Sequence, residues 1–383
     1  MEAEKKKKWM AVIVILVVLG TAFGLVYYYV LRREETPGYN DDYNLDTAPK
    51  VSLMAENLEI PWSMDFLPDG KKIFTERPGR IRIIDENGDL WDNSVDVTLN
   101  VAHVGEGGLL GIVLHPNYTS TQYIYIYFTY EEGGEHKDKV VRYQLSLEDQ
   151  TAEMSNAYTI IEDIPGASYH DGGRIKFGPD EKLYITTGDA GNTSAAQDKN
   201  NFAGKILRFN ADGSIPDDNP FGDSPVYSYG HRNPQGLAWD SEGRLWSTEH
   251  GSTSTDELNL IEAGKNYGWP VIRGDQTNEN METPVIHSGS STTWAPSGLA
   301  FQNDTLYWGG LRGEGLYVVE DVSSYPTSPI SVEKYFDGDY GRIRAAVNGP
   351  NGFIYLLTSN KDGRNPNPAD NDDLIIRVNP TKL

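Results

Sequence analysis

The chain has no cysteine. Disulfides, thiolate metal sites and a cysteine nucleophile are excluded in one step. Long amphipathic helical stretches are also missing, so helices do not build the core. Basic charge is scarce. Lys and Arg number 33 against 56 Asp and Glu, and the net charge is -23. That balance excludes nucleic acid as a partner, because phosphate binding needs clustered Lys and Arg. Solubility accounts for the acidic excess, and affinity for divalent cations is the sharper reading of it.

What is present fits an all-β protein. The 383 residues include 39 Gly, 21 Pro and 23 Tyr against 11 Phe. Many short strands joined by tight turns have this composition.

The N-terminus stands apart. Lys5 to Lys8 precede an uncharged, mostly apolar run from Trp9 to Leu31, and Arg32 and Arg33 follow. The run is long enough to cross a bilayer as a helix. Trp9 and Tyr27 to Tyr29 sit near its ends, where aromatic belts form. No small-residue cleavage site is evident. Residues 1–33 are therefore expected to be an uncleaved single-pass anchor in the cell membrane, with the rest of the chain on the extracytoplasmic side. Residues 34–50 are polar, acidic and turn-rich and read as a flexible linker. The folded domain, 51–383, is expected to begin near Val51.

One unit recurs after Val51. An apolar alternation leads to a turn with Pro, Asp, Asn or Gly, then to a strand of Leu, Ile, Tyr, Trp or Phe. It appears from Met64, Gly111, Ile175, Leu237, Leu299 and Ala345. Six units of about 50 residues have the length of four-stranded propeller blades. The expected fold class is thus all-β, a six-bladed β-propeller preceded by one N-terminal transmembrane helix. In a closed ring "VSLMAENL" would pair into the last blade, and function would sit where loops meet the channel mouth.

Candidate chemistry follows from that geometry. In "SYHDGGRIKFGPDEKLYITTGDA", His170 comes just before the innermost strand of the third unit. An imidazole there is a candidate general base, and a turn-capping histidine is the equal alternative. Gly172 and Gly173 are read as allowing a sharp turn and the close approach of a flat ligand. Arg232 and Asn233 in "YGHRNPQGLAWD", Arg312 in "GGLRGEGLY", and Arg342 and Arg344 in "DYGRIRAAV" fall at loop ends of other units. Each arginine has an ordinary reading as a surface charge. Together they would bind a multiply charged anion. Asp256 and Glu257, with carbonyls of a Gly-rich loop, are possible oxygen ligands for Ca2+, although spacing alone gives little support.

These segments, with "GEGGLLGIVLHPNY", "GKILRFNADGSIPDDNPF", "DELNLIEAGKNYGWP" and "APSGLAF", resemble the soluble aldose sugar dehydrogenases. Those belong to the glucose/sorbosone dehydrogenase family, which depends on pyrroloquinoline quinone (PQQ). The resemblance runs from about Ile60 to Val378. It implies a six-bladed propeller with PQQ over the channel, and oxidation of aldoses at C1 to lactones. By similarity His170 is the base, and Arg232 assists at the reactive quinone oxygen. Arg232, Asn233, Arg312, Arg342 and Arg344 contact PQQ. Glu106 stands where some relatives have Gln touching it, which places a carboxylate beside an anionic cofactor. Carbonyls of Gly251 and Ser252 would hold a Ca2+ that polarises the quinone. Glu257 and the Tyr267 carbonyl would hold a second, structural Ca2+. An aldose is then the substrate and an external acceptor takes the electrons. A Ca2+-dependent lactonase-type hydrolase and a non-enzymatic binding propeller are the alternatives.

Overall fold

A computed structural model describes residues 44–97 and 100–383. The expected anchor over 1–33 and the linker up to residue 43 lie outside the described residues. Among those described, no helix is long and apolar enough to cross a membrane.

Strand β1 (Val51–Ala55) opens the fold. A first sheet holds β2 (Pro61–Phe66), β3 (Lys72–Glu76), β4 (Arg80–Ile84) and β5 (Val95–Asp96). A second holds β6 (Leu109–Leu114), β7 (Tyr123–Glu132), β8 (Glu135–Glu148) and β9 (Thr151–Pro165). A third holds β10 (Ile175–Phe177), β11 (Leu183–Thr187), β12 (Lys205–Phe209) and β13 (Val226–Tyr229). A fourth holds β14 (Pro234–Trp239), β15 (Leu245–Glu249), β16 (Glu257–Ile261) and β17 (Ile286–His287). Next come β18 (Pro296–Gln302), β19 (Thr305–Gly310), β20 (Gly315–Val319) and β21 (Glu333–Tyr335), and then β22 (Ile343–Asn348), β23 (Ile354–Thr358) and β24 (Ile375–Val378).

The architecture is all-β and propeller-like. Six separate blades were expected, and the sheet count differs. Four sheets of four strands stand alone, and the remaining eight strands run as one sheet in the order β1-β24-β23-β22-β18-β19-β20-β21. The join is a parallel bridge of β18 to β22 at Gly298 and Ala345. Small residues cause it. A Cβ on Gly298 would lie 2.9 Å from the Ala345 Cβ, so only glycine lets the two backbones meet there.

The hairpins follow the turn chemistry of the sequence. Between β10 and β11, Gly178 N–H donates to the Lys182 carbonyl (2.9 Å), and Asp180 accepts from Lys182 N–H (3.2 Å). As expected, the first strand pairs with the last, Val51 opposite Val378. Packing begins slightly earlier than Val51. Leu45 and Ala48 join a core cluster, and Asn379 Nδ2 donates to the Leu45 carbonyl (2.6 Å).

Apolar side chains fill the gaps between successive sheets. The first and second share a cluster around Ile81, Leu109 and Phe128. The second and third share Tyr125, Ile175 and Leu207. The third and fourth share Ile206, Leu237 and Tyr267, and the fourth packs on β18–β20 through Trp246 and Trp308. The two halves of the long sheet share Ala300, Ile343 and Leu356, and β22–β24 return to the first sheet at Met64, Phe74 and Tyr355. Each sheet is amphipathic, and the cyclic arrangement covers both faces.

Strands β2, β6, β10 and β14 open their sheets, β18 and β22 meet in the middle of the long one, and the six together surround a channel. Its two ends are cavities lined by the beginnings and by the later residues of these strands.

Candidate active site

The first cavity lies where the six strands begin. It encloses about 90 Å³, and Trp62, Glu106, Gly172, His250, Arg312 and Arg344 are among its lining residues. Arg342 and Arg344 both face it, as their spacing predicted.

His170 directly precedes the lining residues Asp171 and Gly172 and is in a left-handed conformation, φ 63°. Its Nδ1 lies 2.7 Å from Asp189 Oδ1. Asp189 is buried and fully used. Oδ1 also accepts from Gly191 N–H (2.9 Å), and Oδ2 from the Trp269 indole (2.8 Å). Burial would raise the Asp189 pKa, but these donors hold it below the ordinary value. An ionised Asp189 accepts a hydrogen bond from Nδ1–H and so leaves the Nε2 lone pair free, the arrangement a general base requires.

Gly172 and Gly173 have positive φ, as the expected sharp turn requires. A Cβ on Gly172 would lie 2.5 Å from the Thr186 carbonyl oxygen. One on Gly173 would lie 2.6 Å from Leu110 Cδ1. The glycines make room for β11 and for a neighbouring side chain, and Gly172 lines the cavity.

Glu106 reaches both His170 and a cation absent from the sequence reading. Oε2 accepts the His170 backbone N–H (2.9 Å), and Oε1 pairs with Arg364 Nη2 (2.7 Å). Burial favours protonation. His250, the His170 N–H and Arg364 outweigh it and hold the Glu106 pKa below the ordinary value. Burial pushes His250 itself down to about 4, so at neutral pH the N–H and the guanidinium carry this effect. The carboxylate expected to repel an anionic cofactor is thus already paired.

The arginines are not equivalent. Arg342 is committed to the protein, with Nε and Nη2 on Asp362 (3.0 and 2.6 Å) and Nη1 on the Leu311 carbonyl (2.9 Å). Arg344 gives only Nη1 to Gln235 Oε1 (2.9 Å). Burial holds its pKa down to about 9, and its buried Nε has no partner. Arg232 gives Nη1 to the His250 carbonyl (3.2 Å), while its Nε is buried and unpaired. Asn233 positions the His170 loop, its Oδ1 accepting Gly172 N–H (3.0 Å), and its Nδ2 is unpaired. Arg312 lines the cavity and is exposed. Unpaired buried donors are rare in folded proteins, and the Arg344 Nε in the cavity lining, beside Arg312, points to an anionic occupant, whereas Arg232 and Asn233 lie outside that lining.

The suggested metal ligands divide. Gly251 N–H donates to Asp256 Oδ1 (2.8 Å), and Ser252 Oγ accepts from Arg273 Nη1 (3.1 Å), which brings a guanidinium where a cation was expected. Asp256 Oδ2 accepts from Thr293 Oγ1, Trp294 N–H and Ala295 N–H, so this carboxylate closes a loop. Glu257 suits a cation better. Burial, then the charge of its cross-strand neighbour Glu249, push its pKa up to about 8. Tyr267 stacks on His231, with ring centroids 4.7 Å apart, and its hydroxyl donates to the Leu260 carbonyl. Among the described residues, no group of three His, Cys, Asp or Glu side chains converges as a metal site.

Ser228, His231 and Glu249 form a hydrolase-like chain, with 2.8 Å from Ser228 Oγ to Nε2 and 2.8 Å from Nδ1 to Glu249. All three are buried under the Tyr267 ring, so no substrate reaches them.

The chain is similar to several known proteins. A family model for glucose/sorbosone dehydrogenases matches residues 58–375. An aldose sugar dehydrogenase of Escherichia coli is 31% identical, covering 82% of this chain and 91% of its own. Quinoprotein glucose dehydrogenase B of Acinetobacter calcoaceticus is 34% identical over 58% of this chain and 52% of its own. The PQQ-bound aldose sugar dehydrogenase of Streptomyces coelicolor superposes with a TM-score of 0.77 at 36% identity, covering 86% of this chain and 98% of that one.

Proposed function

The chain belongs to the glucose/sorbosone dehydrogenase family, and from that premise we propose that it is a PQQ-dependent dehydrogenase that oxidises aldoses at C1 to lactones. One observation carries this reading. A histidine oriented by Asp189, next in sequence to Asp171 and Gly172 of the cavity wall, stands beside a cavity lined by Arg344, a buried guanidinium whose Nε lacks a partner.

Those donors fit the cofactor. PQQ is a tricarboxylate, and Arg344 offers it an unpaired N–H from the cavity wall; Arg232 and Asn233, just outside that wall, have unpaired N–H groups as well. Arg312 adds an exposed cation, whereas Arg342 lines the wall with its own charge already matched by Asp362. The enclosed volume is small, so the support comes from these donors and not from the size of the cavity. Bound PQQ would supply an ortho-quinone that accepts two electrons.

The chain's own residues do the rest. His170 Nε2 takes the proton of the sugar C1 hydroxyl. Asp189 holds the ring and stabilises the imidazolium that results. Glu106 fixes the His170 backbone, and Arg364 keeps Glu106 ionised in that role. Arg232 stands beside the same loop as a cation for developing negative charge.

Ca2+ belongs to this proposal in finer detail. Glu257 supports it, as a buried carboxyl beside Glu249 whose ionisation a cation would favour. The six-blade reading belongs here as well. The long sheet joins β18 to β22 at one parallel bridge and is antiparallel on either side of it, so it divides into two quartets like the other four. Anchoring by residues 9–31, with the domain outside the cell, is proposed from the apolar run alone.

The test uses the full chain with PQQ, with and without Ca2+, and follows dye reduction by a panel of aldoses. Reduction that needs PQQ and sugar together is expected. A folded protein that reduces no dye with any aldose, or that hydrolyses lactones without PQQ, would overturn the reading.

A further inference from the structure

We propose that the opposite end of the channel is a second, separate binding site, for a small monovalent organic anion such as a short-chain carboxylate. The later residues of the same six strands enclose a cavity there of about 260 Å³. Its floor is charged and its walls are apolar.

Arg174 forms the floor. It is 7% exposed and stacks on Trp62, which lines the first cavity from the other side. Its Nε donates to the Gln235 carbonyl (3.0 Å) and its Nη1 to Ser63 Oγ (3.0 Å). Its Nη2 is buried without a partner. A Cβ on Gly298 would come within 2.9 Å of that atom, so a glycine keeps the space beside it open.

Lys176 lies two residues further along the same strand. Its Nζ donates to the Leu237 carbonyl (3.2 Å), leaving further ammonium protons unused. Asp65 is the acidic residue in the lining, and backbone groups take both of its oxygens: Phe66 N–H (2.8 Å) and Leu114 N–H (2.8 Å). Among the described residues neither cation forms an ion pair with a carboxylate. Burial disfavours all three charges, holding the Arg174 pKa down to about 9 and that of Lys176 to about 8 and raising that of Asp65, so both cations stay charged at neutral pH.

The lining therefore carries two cations and one committed carboxylate, a surplus of one positive charge. That matches a monoanion and leaves a dianion half unpaired. Ile112, Leu237 and Val347 are among the walls, which suit a short hydrocarbon tail and not a sugar. An alkyl carboxylate places its oxygens on Arg174 Nη2 and Lys176 Nζ and its tail against these walls.

The experiment titrates the full chain with sodium butyrate by calorimetry at constant ionic strength. Butanamide and sodium sulfate are the controls, and PQQ is titrated in parallel. Saturable butyrate binding is expected, with neither control matching it. Lys176→Met should weaken it by about tenfold or more, since a buried charge-assisted bond is lost. Val347→Phe, which fills the cavity without touching a charge, should weaken it as well. No saturation by about 50 mM would overturn the proposal, since weaker binding falls below about 2 kcal/mol. So would Lys176→Met titrating like the wild type, because butyrate would then be held by the arginines of the first cavity. Butanamide binding as tightly as butyrate would also overturn it. The PQQ titration keeps this result separate from the proposed activity.

Discussion

The two ends of the channel are built from the same strands and differ in what the chain does next to them. At the first end, loops enter the strands and bring residues from far along the sequence. Glu106 meets Arg364, and His170 meets Asp189 and through it Trp269. At the second end the lining comes from the strands themselves, and Arg174 and Lys176 are neighbours on one of them. Loops can present many groups to one point, so the first end assembles a base, its orienting acid and several anion donors. Strands present one residue in two, so the second end has two cations and a greasy wall. A scaffold of this kind gives reaction chemistry to its loop end and simple binding to its strand end.

The largest expected effect breaks that contrast at its most chemical point. His170→Ala should lower kcat by about 10²- to 10⁴-fold, the usual contribution of a general base, with PQQ binding retained. Asp189→Asn should lower kcat less, with KM nearly unchanged, because it disturbs the ring's tautomer and not the sugar. Steady-state kinetics at saturating PQQ would show both. Wild-type turnover in His170→Ala would leave the first end as a binding site like the second.

Arg344→Met should weaken PQQ binding by about tenfold to a hundredfold, the range for hydrogen bonds to charged groups. Arg342→Met should cost folding stability first, because it leaves Asp362 buried and without its main partner. Fluorescence titration beside thermal melts would separate the two arginines.

A smaller effect concerns Glu257, away from both ends. Its carboxyl ionises at 4.5 when unfolded but only near about 8 when folded. Between these values the folded state holds a proton that the unfolded chain has lost. Stability attributable to Glu257 therefore falls as pH rises through this window. Melting temperatures from pH 5 to 8 without Ca2+ should decline, and Glu257→Gln should flatten the decline. Added Ca2+ should raise the wild-type melting temperature most at pH 8 and have less effect on the variant. A flat wild-type profile that ignores Ca2+ would remove Glu257 from the metal proposal.

Much of this was legible in the residues. The turn at Gly178 to Asp180, the pairing of β1 with the end of the chain and the gathering of Arg312, Arg342 and Arg344 around one cavity follow from local pattern, and Glu106 at that cavity came from the family resemblance. Asp189 and Arg364 were not legible as partners, because only folding brings them to His170 and Glu106. Arg174 and Lys176 did not stand out in the sequence, for another reason. Alternation with Ile175 and Phe177 suggests an ordinary polar face turned to water. On an innermost strand that face is turned to the channel. The distinction between a solvated face and a channel face is tertiary, and alternation carries no sign of it.

Trp62 lines the first cavity and also touches Arg174 of the second. It is 2% exposed, and Arg174 lies over its ring at 4.2 Å and Arg344 at 5.6 Å. An indole face attracts two guanidinium groups that would otherwise only repel each other, and it does so without neutralising either. Each arginine therefore keeps its charge for an anion. Trp62→Phe leaves an aromatic face of weaker quadrupole. A loss of about 0.5–1 kcal/mol per contact corresponds to roughly two- to fivefold weaker binding. Binding of PQQ and of butyrate should fall together by that small factor, more for butyrate because Arg174 lies closer to the ring. If only PQQ binding changes, the indole serves the first end alone. If neither changes, the two ends share strands but no side chain that matters to both.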